Sequence, residues 1–407
     1  MQVSSTKRTR LPVYGFFLKS YDIGNRHFIT LKGNAMFEDF KVPSDLIPSD
    51  PRFGSGPSLV PVEFLESLAK TGAHLMGTSH RKKAVRDVVG EMQDGLRQYF
   101  KLPKDFTVAI GNGGATFLFD MLALGMVEKK AVHFVCGEFS DKWFKASKKV
   151  PWIETEKIEV PAGQGITPTA VAGADVIACT LNETSTGVQI DSFPTVGADQ
   201  LLMVDATSGG GQVPCDVSKT DVYFFSPQKV FASDGGFFVA ILSPKARARA
   251  LKIAADKSRY IPDIMRWDLC IDNSDKAQTY NTPAISTIYI LNEQVKLMNK
   301  LGYETVIKQA QEKADLLYGW ANEKSYLSCF IQEEKYRSIA VATIDVDDKV
   351  DVNPLIDKLE KDKIVYGIDA YRKLGRNQFR IALFHNISKN DLEKLTKILS
   401  LAIESKL

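Results

Sequence analysis

The residues best suited to chemistry stand at the ends of short apolar runs. Asp205 ends the run QLLMVD, and Lys229 follows the run DVYFF within the string SPQK. Charged side chains are seldom buried without a partner, because an unpaired charge in an apolar setting is unstable. For Asp205 alone the alternative is a helix N-cap or a hydrogen bond to nearby backbone, and for Lys229 alone it is a solvated surface group. Their succession at two strand ends instead indicates one shared site.

A glycine-rich turn, GNGGAT at residues 111–116, provides a third element of such a site. It precedes a predicted helix whose first turn holds Ala115 and Thr116, and free N–H groups at a helix start favour a phosphate. The string lacks the GK[ST] of a Walker motif, and Thr116 stands where a dinucleotide fingerprint has its third glycine. A tight turn without a ligand is the alternative interpretation.

Together, these three elements meet the needs of pyridoxal phosphate. A lysine forms the Schiff base, an aspartate keeps the pyridine nitrogen protonated, and a glycine turn holds the phosphate. Phe139, in the string GEF, is placed to stack on the cofactor ring, and Thr184, in NETSTG, to donate a hydrogen bond to the ring oxygen. A core phenylalanine and a turn threonine are the simpler alternatives for these two.

The elements that position these residues alternate between helix and strand. Helical stretches at 61–70, 83–100, 115–127 and 141–149 interleave with the apolar runs FTVAIG, AVHFVC, ADVIAC, LLMVDA, DVYFF and GGFFVAIL. This order predicts an α/β fold with a mainly parallel sheet covered on both faces. Ligands bind beyond the carboxyl ends of such strands. After about residue 250, long helical stretches, notably 284–322, and the runs SIAVATIDV and QFRIALF predict a smaller α+β domain.

Composition limits the possible functions. The chain has 407 residues and a net charge of +3, too small to indicate nucleic-acid binding. No apolar run approaches the length of a membrane span. The five cysteines include no CxxC pair, which predicts a reducing, cytoplasmic setting and neither a disulfide framework nor a zinc site.

The first 35 residues are basic and contain a single acid, Asp22. We interpret them as a disordered tail, or as sequence that precedes a true start at Met36. An organelle-targeting peptide is the alternative.

Nine motifs occur in order from residue 50 to the C-terminus: FGSGPS (53–58), MGTSHR (76–81), GNGGAT, GEFS (137–140), NETSTG (182–187), DATSGGG (205–211), SPQK (226–229), YNTPA (280–284) and YRKLGRNQFRIA (371–382). In this order they resemble the phosphoserine aminotransferases, above all their actinobacterial branch. The resemblance implies a class V, fold-type I enzyme that depends on pyridoxal phosphate and forms a homodimer with active sites at the interface. It implies a large domain at 50–270 with a seven-stranded sheet, and a small domain at 271–407 against which residues 50–60 pack.

The resemblance also implies individual roles. Lys229 corresponds to the Schiff-base lysine and Asp205 to the partner of the pyridine nitrogen. Phe139 takes the ring-stacking position, where other branches carry tryptophan. The other positions that would contact the cofactor are Gly114, Ala115, Thr116, Thr184 and Gln228, with Asn281 and Thr282 reaching the phosphate from the other subunit.

Substrate recognition is implied in the same way. The family substrates, O-phosphoserine and 3-phosphohydroxypyruvate, carry a carboxylate and a phosphate, which guanidinium groups bind by bidentate hydrogen bonds. His80 and Arg81 correspond to a phosphate-binding pair donated across the dimer. Arg372 and Arg380 correspond to arginines of the small domain, and Arg380 would bind the α-carboxylate.

The implied reaction is a ping-pong transamination with L-glutamate in L-serine biosynthesis, with a related step in pyridoxine biosynthesis. Lys229 would also act as general base and acid. The nearest alternative is another aminotransferase of this fold, of the alanine–glyoxylate or serine–glyoxylate type. A cysteine desulfurase and a dinucleotide-dependent dehydrogenase fit the motifs less well.

Overall fold

The computed structural model describes residues 36–407 of the chain. The basic segment 1–35, interpreted above as a tail, lies outside the described residues. Between residues 36 and 407, no helix combines the length and the apolar character that crossing a membrane requires.

The first two thirds of the described chain contain nine strands. They are β1 Thr107–Asn112, β2 Lys130–Val135, β3 Glu154–Glu159, β4 Val176–Thr180, β5 Asn182–Glu183, β6 Val188–Gln189, β7 Leu201–Asp205, β8 Val222–Phe225 and β9 Phe237–Leu242. Seven of them form one sheet in the order β1-β9-β8-β7-β4-β2-β3, while β5 and β6 form a short hairpin. In the large sheet only β9 is antiparallel to its neighbours. The predicted α/β fold with a mainly parallel sheet is confirmed.

Helices cover this sheet on both faces. They are α2 Lys83–Tyr99, α3 Gly114–Met126, α4 Glu138–Lys148, α5 Pro244–Ala254 and α6 Trp267–Ser274, whereas α1 Val62–Leu75 packs on the helical residues 285–301. Because of this cover every residue of β4, β7, β8 and β9 is buried, as their continuous apolar runs predict. The edge strand β3 was not predicted, because its sequence ETEKIE is polar and its pairing with β2 comes from the tertiary fold.

The C-terminal part combines helices with a small antiparallel sheet. Its elements are α7 Ile285–Leu301, α8 Tyr303–Glu323, β10 Leu327–Cys329, β11 Val341–Val346, α9 Asn353–Lys361, β12 Gln378–Ala382 and α10 Lys389–Glu404, with the strands in the order β10-β11-β12. The helical stretch 284–322 is two helices, separated at Gly302, whose φ of 86° is unfavourable for other residues. The predicted α+β character is confirmed.

The segment 51–59 is hydrogen-bonded to the C-terminal part, although the large sheet follows it in the sequence. The Phe53 N–H donates to the carbonyl of Tyr366 at 3.0 Å, and the Ala382 N–H donates to the carbonyl of Phe53 at 2.9 Å. The Asn386 side chain donates to the carbonyl of Leu59. These contacts tie residues 51–59 to the C-terminal part; the division into domains at 50–270 and 271–407 stays a prediction.

Candidate active site

The five strands β1, β2, β4, β7 and β8 run in the same direction, so their carboxyl ends meet at one edge of the sheet. A cavity of about 170 Å³ lies at this edge. Eight residues predicted to contact the cofactor line it: Gly114, Ala115, Thr116, Phe139, Thr184, Asp205, Gln228 and Lys229. The fold therefore brings together residues that follow five separate strands along the chain.

Lys229 is buried in this cavity and is only 8% exposed. Its Nζ donates a hydrogen bond to Thr184 Oγ1 at 3.0 Å and lies 5.3 Å from the centroid of the Phe139 ring. Burial lowers the pKa of Lys229 to about 8, and the positive charge of Arg380 acts in the same direction, whereas Asp205 opposes it. A neutral amine, which is the nucleophilic form, is therefore far more abundant near pH 7 than in an ordinary lysine.

Asp205 ends β7 and is 3% exposed. The backbone N–H and the hydroxyl of Thr207 both donate to Asp205 Oδ1, at 2.9 and 2.6 Å. Burial raises the pKa of Asp205 to about 6, while the Thr207 hydrogen bonds lower it. These bonds use one oxygen, so Oδ2 is left for a donor in the cavity.

The glycine turn before α3 provides an anion-binding end. Gly113 and Gly114 have φ values of 118° and 73°, a left-handed backbone that glycine adopts without strain. A Cβ atom on Gly114 would lie 3.0 Å from Ser226 Oγ, so the backbone also approaches β8 closely. Within the described residues no side chain caps the start of α3, and its first N–H groups are available to an anion.

Two buried polar atoms of the cavity also lack a hydrogen-bond partner within the described chain, which a ligand would supply. Gln228 Oε1 and Thr180 Oγ1 have no hydrogen-bond partner among residues 36–407, although buried polar atoms normally have one. Together with the amine, the carboxylate, the helix start and the aromatic ring of Phe139, they fit an aromatic aldehyde that carries a ring nitrogen and a phosphate. Pyridoxal phosphate has this combination of groups.

Arg380 connects the C-terminal part to the cavity. Its Nη1 lies 3.4 Å from the carbonyl oxygen of Thr184, and burial lowers its pKa. Arg372 and Arg380 both line an adjacent open cleft of about 800 Å³. Arg376, which had no predicted role, forms a two-bonded ion pair with Asp345, at 3.0 and 2.6 Å.

The other four predicted residues do not line the cavity of their own chain; they are His80, Arg81, Asn281 and Thr282. They gather around one loop instead. Arg81 donates to Gln278 Oε1 at 3.3 Å, and the amide of Asn112 donates to the carbonyls of Asn281 and Thr282, at 3.3 and 3.1 Å. His80 is 7% exposed, and its Nε2 has no partner in the described part of the chain.

Sequence reasoning missed two residues that shape the cavity. A Cβ atom on Gly56 would lie 2.7 Å from Lys229 Cε, and Glu183 is fully buried behind Phe139. Both stand in motifs that carry the family resemblance, FGSGPS and NETSTG. A glycine in the first motif and the only charged residue of the second were the available signals.

Comparison with known proteins places this geometry in a family. The profile of the family "Aminotransferase class-V" matches residues 145–366. A phosphoserine aminotransferase of Nocardioides sp. is 40% identical over 374 residues, which is 91% of this chain and 100% of that protein. That of Corynebacterium glutamicum is 43% identical over 358 residues, which is 87% of this chain and 95% of that protein.

A solved structure agrees with these sequences. The phosphoserine aminotransferase of Cytophaga hutchinsonii superimposes with a TM-score of 0.78 at 26% identity, covering 86% of this chain and 98% of that one. The class V aminotransferases use pyridoxal phosphate, the cofactor whose groups the cavity fits. The chain therefore belongs to the phosphoserine aminotransferase family of the class V aminotransferases.

Proposed function

We propose that the protein transfers an amino group from L-glutamate to 3-phosphohydroxypyruvate and yields O-phospho-L-serine and 2-oxoglutarate. The observation that carries this proposal is Lys229, a buried amine with a pKa of about 8 in one cavity with Asp205. The relatives named above supply the substrate class. The reaction serves L-serine biosynthesis, with a related step in pyridoxine biosynthesis, and we assign it to the cytoplasm, where five free cysteines stay reduced.

Bound pyridoxal phosphate supplies an electron sink that stabilises negative charge on a substrate carbon when its proton leaves. Lys229 would hold the aldehyde end of the cofactor, and Asp205 would hold the ring nitrogen. Phe139 would pack against the ring. Thr116 and the uncapped N–H groups at the start of α3 would hold the phosphate.

Lys229 also moves the proton. With a pKa of about 8, its amine is present in both protonation states around neutral pH, so Nζ can accept a proton from the substrate and return it. The low exposure of this side chain keeps water from competing for that proton. Asp205, with a pKa of about 6, is mainly a carboxylate above pH 6 and keeps a negative charge beside the ring nitrogen.

The charged ends of the substrate need separate cations. We assign the α-carboxylate to Arg380, whose guanidinium reaches the Thr184 carbonyl at the cavity edge, with Arg372 in the same cleft. We assign the phosphate to His80 and Arg81 of a second subunit of a homodimer. Their position outside the cavity of their own chain supports this assignment.

The loop next to this pair is assigned to the same partner cavity. Asn281 and Thr282 would approach the cofactor phosphate of the second subunit. Asn112 supports this assignment, because it holds both backbone carbonyls and so fixes the loop.

An aminotransferase of the alanine–glyoxylate type is the second candidate. The alanine–glyoxylate aminotransferase of Nostoc sp. has a similar fold, with a TM-score of 0.72 at 18% identity. Its named substrates carry no phosphate. The guanidinium groups of Arg81 and Arg372, together with the imidazole of His80, favour a phosphorylated substrate for this chain.

The visible absorption of the purified protein tests the proposal. We expect a yellow protein whose visible band is replaced by a near-ultraviolet band when O-phosphoserine is added. Loss of the band with alanine or serine, but not with O-phosphoserine, would support the second candidate. We expect Lys229→Ala to bind the cofactor and to show background turnover. Retained turnover in this variant would refute the role of Lys229.

A further inference from the structure

Glu183 is a buried carboxylate that the proposed mechanism does not use. It is fully buried in the motif NETSTG, between Asn182 and Thr184. Its oxygens accept hydrogen bonds from the backbone N–H groups of Phe139 at 3.1 Å, Ser140 at 2.9 Å and Ser185 at 3.2 Å. The hydroxyls of Ser140 and Ser185 add bonds of 2.9 and 2.7 Å.

This carboxylate binds the start of α4. Phe139 and Ser140 belong to the first turn of that helix, where unpaired N–H groups and the helix dipole favour a negative charge. Gly137 permits the close approach, because a Cβ atom there would lie 2.4 Å from Glu183 Cγ. The position of Phe139 is therefore fixed through its own backbone N–H.

The same residue also fixes the neighbourhood of Lys229. Glu183 directly precedes Thr184, whose hydroxyl accepts the hydrogen bond from Lys229 Nζ at 3.0 Å. The Phe139 ring centroid lies 5.3 Å from the same nitrogen. The contacts of the Lys229 amine with Thr184 and with Phe139 thus both depend on the position of the Glu183 carboxylate.

The charge of Glu183 reaches the titratable groups around the cavity. It raises the pKa of Lys229, in opposition to burial and to Arg380. The charged and titratable groups that face it are Lys229, Arg380, Asp205, Cys136 and Tyr371. Removal of the charge therefore lowers the pKa of Lys229.

We propose that Glu183 is a positioning residue, which holds Phe139 and Thr184 against Lys229 and so sets the geometry between the cofactor ring and the reactive amine. The inference rests on the function proposed above, from which the roles of Phe139 and Lys229 come. Glu183 itself does not contact the substrate in this scheme.

The variant Glu183→Gln in the holoenzyme tests the proposal. The amide replaces one acceptor oxygen by an N–H₂ donor, which then faces the N–H groups of α4 and loosens Phe139. A displacement of about 1 Å near reacting atoms lowers kcat on the order of 10- to 100-fold. We also expect weaker circular dichroism of the visible cofactor band and a lower pH midpoint for the titration of that band.

Ser185→Ala is the matched control. It removes the 2.7 Å hydroxyl bond to Glu183 and the 3.0 Å bond that Ser185 Oγ accepts from the Glu138 N–H, but it keeps the charge, so the pH midpoint should stay at the wild-type value. If Glu183→Gln lowers only the unfolding temperature and keeps the wild-type kcat, dichroism and pH midpoint, Glu183 is merely structural and the proposal is wrong.

Two further results keep the outcomes distinct. If Glu183→Gln does not fold, the double variant Ser140→Ala, Ser185→Ala replaces it, because it removes both hydroxyl bonds to Glu183. Weaker circular dichroism of the cofactor band in this variant supports the proposal. Wild-type dichroism together with wild-type kcat overturns it. The proposed function itself is refuted if the wild-type protein lacks the visible cofactor band or if Lys229→Ala stays active. The inference fails when the wild type behaves as proposed and the Glu183 variants resemble it.

Discussion

Gly56 lies against the side chain of Lys229, and its replacement by alanine probes the reactive amine without changing any charge. A Cβ atom at residue 56 would stand 2.7 Å from Cε and 3.1 Å from Nζ of Lys229. The φ of Gly56 is 140°, a value that side-chain-bearing residues rarely adopt. Gly56→Ala therefore both displaces the lysine and strains the backbone.

The size of the effect follows from these distances. Non-bonded carbon atoms are optimally about 3.5–4.0 Å apart, so Lys229 Cε must move by roughly 1 Å. A shift of about 1 Å at a reacting group costs on the order of 100-fold in rate. Unfavourable φ values add about 1–3 kcal/mol of strain, which lowers the free energy of unfolding.

Steady-state kinetics and the visible spectrum measure this effect. We expect Gly56→Ala to lose on the order of 100-fold in kcat and to show a weaker or shifted cofactor band. Gly54→Ala is the matched control in the same segment, because a Cβ atom there would lie 3.7 Å from Gly367, an ordinary contact. Wild-type kcat in Gly56→Ala would refute the placement of Lys229, and equal losses in both variants would point to a general disturbance of the segment.

Three further predictions concern the pH dependence, the aspartate and the stability. Capture of pyridoxal phosphate by the apoenzyme should accelerate about tenfold per pH unit and level off above the Lys229 pKa of about 8, because only the neutral amine reacts; a stopped-flow profile that still rises at pH 10 would contradict the lowered pKa. Asp205→Asn should lower kcat on the order of 100-fold while the cofactor stays bound, because a neutral amide stabilises the protonated ring nitrogen poorly; unchanged kcat at saturating substrate would exclude the assigned role. Gly319→Ala within α8 should raise the free energy of unfolding by about 1 kcal/mol, since no atom lies within 4 Å of the new methyl group; chemical denaturation measures it, and a loss of stability would contradict the open space beside Gly319.

The sequence was most informative where a local pattern has a single physical cause. The apolar runs of β4, β7 and β8 predict buried strands, since short, β-rich apolar runs flanked by turns are typical of strands that are covered on both faces. The same runs place Asp205 and Lys229 at strand ends, and parallel strands bring such ends to one edge. The polar edge strand β3 has no comparable pattern, and its place depends on pairing with β2.

The residues of the candidate site also separate into those with a local sequence pattern and those whose role depends on the tertiary fold. The residues that line the cavity at the strand ends were predictable, because one chain and one sheet edge suffice to assemble them. Glu183 was not, because its role depends on where the start of α4 lies relative to the NETSTG segment. Gly56 contacts Lys229 although it lies more than 170 positions earlier in the chain, and no local sequence pattern encodes a contact between such distant residues.

The amino-acid sequence was sufficient to predict the fold class, the cofactor, and the amine, the carboxylate and the glycine turn of the candidate site. These follow from side-chain chemistry and from the periodicity of apolar residues, which are local properties of the chain. The packing of the whole chain was needed to find that Lys229 is buried with a pKa of about 8, that Glu183 binds the backbone N–H of Phe139, and that Gly56 lies against Lys229. Burial, electrostatic fields and contacts between distant segments arise when the whole chain packs, and they set how the predicted groups behave.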